Sequence, residues 1–493
     1  MIFDHSFPLH VSLSSSHSPQ NPRNNRRWSV LAAHPRGLSV LFFTELWERF
    51  SYYGMRAILI LYMVAPSAEG GLGFSTKHAA AIYGAYTMWV YLLALPGGFL
   101  ADRFLGTKRA VVLGGSIITL GHCAMAFPNI PFFFAGLVLI TLGTGLLKPS
   151  VSALVGELYA LGDTRRDAGF ALFFMGINIG AALAPFVCGF LAQHTLFKEF
   201  LAICGLNPMH SWHWGFGAAG CGMVLGLAQF LASKQHLPER GAEHAPSHAP
   251  SHNSQVFSQE HFPTHSPEAA SQRNSTLTRE EWQRIQVIFI LFIFTIIFGL
   301  VSEQAGSSMN LFAARLTRTE ILGWHVPPSW FQAAVPLYVI VLSPVLSQLW
   351  LFLGEKQPSS PAKFALSLVC VGLAFSVMVC ASLAAHEGGL VHPAWLLGAF
   401  FLQEIGAVLL NPTGLSVVSK LSPRHLTGRM MGVWFLASAL ASVLAGYLAG
   451  FFDEKNTLFL VQYFGGLAAL VLCAAAVLFA LTPKLRRMMG SIR

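Results

Sequence analysis

Charge is what this sequence has least of. Asp, Glu, Lys and Arg make up 11% of its 493 residues while 54% are hydrophobic, and ordinary soluble domains carry about 25% charged residues. Such a chain cannot hide its apolar surface in water, so a soluble globular fold is excluded. Cysteine is sparse and unpatterned. Cys123, Cys188, Cys221, Cys370, Cys380 and Cys473 lie in apolar segments and only Cys204 in a loop, which gives neither a disulfide framework nor metal-ligand spacing. No nucleophile triad, metal constellation or phosphate loop is present, so no catalytic residue and no bound metal are expected. The "GTG" before Lys148 reads as a close-packing segment. The N-terminal "SLSSSHSPQNPRNNRR" lacks the apolar core and cleavage site of a secretory signal and reads as a disordered extension.

Long apolar runs are abundant. Twelve segments have the length a bilayer requires, near 38–64, 78–101, 110–128, 131–156, 169–193, 212–232, 285–305, 329–353, 362–385, 391–418, 430–452 and 458–482. An even number of spans puts both termini on one side. Of the 31 Lys and Arg, 23 fall in the tails and loops of that side, five (Lys77, Lys198, Arg315, Arg318, Lys455) on the other, and Arg49, Arg56 and Lys148 within spans. The excess of basic loops assigns both termini to the cytosol. The formal charge of +9 thus reflects topology, and no nucleic-acid partner is expected. The implied location is the plasma membrane, here a bacterial inner membrane crossed many times.

A polar stretch separates the sixth and seventh spans, "HLPERGAEHAPSHAPSHNSQVFSQEHFPTHSPEAASQRNS", whose six histidines need no metal to explain them. The expected organisation is a cytosolic tail (1–36), a six-helix bundle (37–232), a cytosolic linker (233–282), a second six-helix bundle (283–484) and a short tail (485–493). An internal repeat crosses the linker: "LLKPSVSALV" at Leu146 matches "LLNPTGLSVV" at Leu409, and aromatic pairs Phe173–Phe174 and Trp434–Phe435 follow. The segment "GGFLADRFLGTKRA", with Asp102 closing the second helix and Arg103, Gly106 and Lys108 following, resembles the loop signature of the major facilitator superfamily, beside its plainer reading as a positive-inside loop. The fold class is therefore an all-α membrane protein of twelve spans, with a substrate held between its halves.

The first span, "FFTELWERFSYYGMRAILILYMV", carries Glu45, Glu48, Arg49 and Arg56, residues that cost about 2.5–3.5 kcal/mol each at a helix centre. Glu45, Arg49, Tyr52, Tyr53 and Arg56 fall along one stripe, which must face the interior. Read alone, Glu45 and Arg49 are an i, i+4 pair that merely neutralise each other, yet an apolar pair would join helices at less cost. Across all spans the deep cations are Arg49, Arg56 and Lys148 and the deep anions Glu45, Glu48, Glu303 and Glu404. The one excess negative charge suits a site that binds a proton.

"ELWERFSYYG" resembles the Glu-x-x-Glu-Arg-Phe-x-Tyr-Tyr-Gly signature of the proton-coupled oligopeptide transporter family. "GTGLLKPSVSALVG", "FFMGINIG", "SEQAGS", "WFQ", "FLQEIGAVLLNPTGLSVVSKLSP" and "GVWFLASALA" agree with it over both halves. The resemblance implies uptake of di- and tripeptides with protons by alternating access, by a monomer in a lipid bilayer, with the proton as coupling ion and no cofactor. It implies that Glu45, Glu48, Arg49 and Glu303 couple the proton. Arg49, Tyr52, Tyr53, Tyr91, Lys148, Asn178 and Glu404 bind peptide, and the pairs Arg56–Glu303 and Lys148–Glu404 form and break. Gly299 stands where relatives have an indole and Val335 where they have an amide, which predicts a roomier and less polar pocket. Transport of another small anion by the same fold, and a non-transporting receptor, are the alternatives. Glu404 disfavours the first and the balanced buried charges the second.

Overall fold

The structure is a computed structural model that describes residues 34–160, 163, 165–238, 277–321, 323–423 and 426–490. Most of the expected N-terminal tail, the linker over 239–276 and the last three residues lie outside the described residues.

The first half contains α1 (Arg36–Val64), α2 (Thr76–Leu92), α3 (Ala94–Leu100), α4 (Thr107–Met125), α5 (Ile130–Glu157), α6 (Arg166–Gln193), α7 (Thr195–Ile203) and α8 (Ser211–Ser233). The second contains α9 (Arg279–Ser302), α10 (Ser308–Arg315), α11 (Ala334–Leu353), α12 (Ser360–Gly388), α13 (Ala394–Leu421), α14 (Thr427–Ala449) and α15 (Thr457–Met489). A small hairpin of β1 (Glu320–Ile321) and β2 (Trp324–His325) turns at Gly323 between α10 and α11. Among the described residues ten helical segments are long and apolar enough to cross a membrane. The charged α1 and the 19-residue α4 complete the twelve spans.

Fifteen helices arise from twelve spans for local reasons. The second span breaks at Leu93 into α2 and α3, and it does not end at Asp102 as the sequence predicts: a π-helical turn over Ala101–Leu105 carries it on to Gly106. Gly106 stops it at φ 81°, a conformation that favours glycine. The seventh span is interrupted by a 3-10 turn at Glu303–Gly306 before α10. On α7, Leu196, Phe200 and Ile203 form an exposed apolar stripe at helical spacing, too short to span.

The four charges of α1 are tolerated because the helix is buried on nearly every side, by α6 and α8 in its own half and α10 in the other. Small residues bring helices together where lipid supplies no hydrophobic drive. A Cβ on Gly143 of α5 would lie 2.5 Å from the Gly114 oxygen of α4, so only glycine lets these backbones meet.

The halves join mainly through α2 with α14 and α6 with α11. At the α2–α14 crossing a Cβ on Gly84 would lie 2.7 Å from the Gly446 Cα. Gly84→Leu is therefore expected to hold this end apart. In a cysteine-free background, labelling of Ser329→Cys by a polar maleimide should rise several-fold; unchanged labelling would mean that the crossing absorbs the side chain.

Candidate functional site

The interior of α1 is a charge ladder. Arg49 Nε lies 3.1 Å from Glu45 Oε1 and also pairs with Glu48, and the three residues are 5%, 4% and 1% exposed respectively. One guanidinium thus serves two carboxylates, and its Nη2 is buried without a partner among the described residues. The guanidinium also lies 5.3 Å from the Tyr52 ring centroid, a cation–π contact strengthened by exclusion of water. Two turns on, Arg56 pairs with Glu303 of the other half and donates from Nε to the Tyr83 hydroxyl at 2.5 Å.

Between the halves lies a cavity of about 590 Å³. The first half contributes Tyr53, Arg56, Tyr91 and Asn178, and the second Ser302, Glu303, Gln332, Val335, Gln403, Glu404, Asn411 and Ser438. Glu404, 5% exposed, makes no ion pair among the described residues. Asn178 donates its amide to the Phe174 carbonyl at 2.9 Å. Lys148 is half-buried and not part of this lining; its Nζ lies 4.7 Å from the ring centroid of Tyr91, which is.

The end of the cavity away from the chain termini is closed by contacts between the halves. Asn310 donates to the Ala57 carbonyl at 2.9 Å, Ser329 to Gln193 at 2.6 Å and the Trp330 indole to the Phe186 carbonyl at 3.1 Å. The Arg56–Glu303 pair and the Gly84–Gly446 crossing belong to the same closure. Toward the termini the lining continues along α13 through Asn411, Pro412 and Leu415. Pro149 of α5 and Pro412 of α13, the prolines of the repeat, both lie inside helices beside Lys148 and Asn411. Each removes a backbone hydrogen bond there.

Tyr53, Arg56, Tyr91, Asn178, Glu303 and Glu404 share the cavity wall. Glu45, Glu48, Arg49, Tyr52 and Lys148 are not part of that wall; the first four are buried and joined to one another through ion pairs and the Tyr52 ring, and the half-buried Lys148 contacts the wall at Tyr91. The Arg56–Glu303 pair is closed and the Lys148–Glu404 pair is not formed. Gly299 and Val335 both line the cavity, but the room expected at Gly299 is partly taken by α14, since a Cβ there would lie 2.8 Å from the Ala441 Cβ.

Several residues were not legible as functional. Tyr83 reaches Arg56 from α2, with no local pattern to mark it. Gln304, adjacent to Glu303, accepts from Ser308 at 2.7 Å and Tyr463 at 2.9 Å and donates to the Ala445 carbonyl at 3.1 Å. Its place within "SEQAGS" was the available signal. Ser302 Oγ and Gln403 Oε1 are buried and unpartnered among the described residues, a state that costs about 1–3 kcal/mol per atom.

Two six-helix halves, a closed end and buried charges facing a cavity between them define a multi-pass membrane transporter of the major facilitator fold. The family model described as "PTR2: POT family" matches residues 108–464. A peptide transporter of Yersinia enterocolitica, YePEPT, is 36% identical over 96% of this chain and 98% of its own. A di-/tripeptide transporter of Lactococcus lactis subsp. cremoris is 32% identical over 95% and 99%. A variant of the peptide transporter POT, solved in complex with alafosfalin, superposes with a TM-score of 0.79 at 36% identity, covering 93% of this chain and 96% of that one. The chain belongs to the POT family of peptide transporters.

Proposed function

We propose that the chain takes up di- and tripeptides together with protons, by alternating access between its halves. The observation that carries this reading is the division of charge. The deep cations Arg49, Arg56 and Lys148 all belong to the first half, on α1 and α5, while Glu303 and Glu404 belong to the second. A short peptide is a zwitterion, so it bridges such halves: its carboxylate seeks the first and its amine Glu404, which has no ion-pair partner among the described residues. Arg49 Nη2, without a partner among the described residues, is a further donor on the carboxylate side. Glu45 and Glu48, sharing one guanidinium, hold the charge that a proton neutralises.

The proton is the only coupling ion in this scheme, no cofactor takes part, and a monomer suffices. Both termini lie in the cytosol of a bacterial cell, so the end closed by Arg56–Glu303 and Ser329–Gln193 is the outer one and the cavity is accessible from within. Breaking the outer pairs and forming Lys148–Glu404 would reverse that access. A carboxylate without a cation at the cavity wall disfavours an anion lacking an amine, such as nitrate.

The test is uptake of labelled Ala-Ala into proteoliposomes with an imposed inward proton gradient. Accumulation above the external concentration that a protonophore abolishes is expected. Accumulation that ignores the protonophore would reject proton coupling, and transport of nitrate but no dipeptide would reject the peptide reading. Protease removal of tags at either terminus in spheroplasts would reject the topology.

A further inference from the structure

Six buried side-chain nitrogen or oxygen atoms have no hydrogen-bond partner among the described residues: Arg49 Nη2, Tyr86 OH, His122 Nδ1, Ser302 Oγ, Asn310 Oδ1 and Gln403 Oε1. Buried polar atoms are usually satisfied, so each orphan asks for an explanation. Of the six residues, Ser302 and Gln403 alone line the central cavity. They are also tied to each other, because Gln403 Nε2 donates to the Ser302 main-chain oxygen at 3.1 Å.

We propose that Ser302 and Gln403 form a side-chain subsite of this cavity, selecting peptides that carry a neutral hydrogen-bond donor, a hydroxyl or carboxamide, over their apolar isosteres. The inference rests on the peptide reading above and adds to it a substrate preference.

The geometry supplies the chemistry. Gln403 is 2% exposed and its amide nitrogen is committed to a backbone oxygen, so the group cannot turn over without losing that bond. Its Oε1 is left as an acceptor only, while Ser302 Oγ donates or accepts. The two residues precede Glu404 and Glu303 in the chain. Glu303 is engaged by Arg56, and Glu404 is assigned to the peptide amine. What remains without a partner among the described residues is a neutral, acceptor-rich patch beside the charged clamp. A threonyl hydroxyl or an asparaginyl amide satisfies it, whereas valine or leucine of the same shape leaves both atoms unmatched. The amide absent at Val335 does not leave this wall apolar, since Gln403 brings another amide to it from α13.

The experiment is calorimetric binding to the purified full chain of two isosteric pairs, Ala-Thr against Ala-Val and Ala-Asn against Ala-Leu. The wild type is expected to prefer the donor-bearing member of each pair by about three- to tenfold. In Ser302→Ala and in Gln403→Leu the preference should fall to about one or below. The readout is the ratio within one protein, which a general loss of affinity does not move. If Gln403→Leu does not fold, Ser302→Ala and the wild type still decide. A wild-type ratio of one or less, or a ratio that survives every folded variant, overturns the subsite. Equal binding within each pair overturns the subsite alone, whereas no binding of any dipeptide overturns the peptide reading and the subsite with it.

Discussion

Glu48→Gln is expected to abolish uphill peptide accumulation while leaving peptide exchange between loaded vesicles at least partly intact. Glu48 is 1% exposed and shares Arg49 with Glu45, whose oxygen lies 3.1 Å from the same Nε. Two carboxylates share one guanidinium, so one of them depends on a more distant cation, Lys148, and a proton bound in the dry interior can take that cation's place. The substitution leaves a balanced Glu45–Arg49 pair, so the proton no longer has a distinct place to bind or a reason to leave. An imposed gradient then has no differential affinity through which to act on the two states. Exchange requires only that loaded protein change access, and the Arg56–Glu303 closure that this breaks and remakes is untouched. Full gradient-driven accumulation by this variant, measured in proteoliposomes, would remove Glu48 from the coupling scheme.

Glu404→Gln should weaken binding of a free dipeptide by about 10- to 100-fold, the range expected for loss of one charge-assisted contact. Glu404 lines the cavity, is 5% exposed and has no ion-pair partner among the described residues. Glutamine keeps the shape and removes the charge, so packing of α13 is disturbed little. N-acetylated dipeptides, which bring no ammonium to this position, should bind the wild type poorly and lose little further affinity in the variant. Binding assays on the matched free and acetylated peptides check both statements. Equal losses for the two would place the amine elsewhere.

The candidate site was legible where chemistry conflicts with surroundings. Glu45, Glu48, Arg49, Arg56, Lys148, Glu303 and Glu404 stand out because a charge inside an apolar span is costly and must face an interior. Ser302 and Gln403 did not stand out. A serine or glutamine in a span is cheap and commonly satisfied by its own helix or a neighbour. Only the fold reveals that Gln403 Oε1 and Ser302 Oγ have no such partner among the described residues while Gln193, on a comparable helix, accepts from Ser329. Tyr83 was silent for the same reason: its hydroxyl matters through Arg56, a residue 27 positions away on another helix.

By itself the sequence determined the number of spans, the two-half plan and which charges lie within the spans. Apolar length and the placement of charge are properties of each segment alone, and the bilayer tests each segment separately. Distances between segments were decided only by the tertiary structure. Removing a side chain at Gly299 reads as added room in a sequence, but small residues let helices approach closely, and the Ala441 Cβ of α14 lies 2.8 Å from where a Cβ at Gly299 would be. Likewise the sequence names Arg56, Glu303, Lys148 and Glu404 as partners without saying which pair is made. Packing of Gly84 on Gly446 and of Ser329 on Gln193 holds one end shut, so Arg56 meets Glu303 while Glu404 has no ion-pair partner among the described residues.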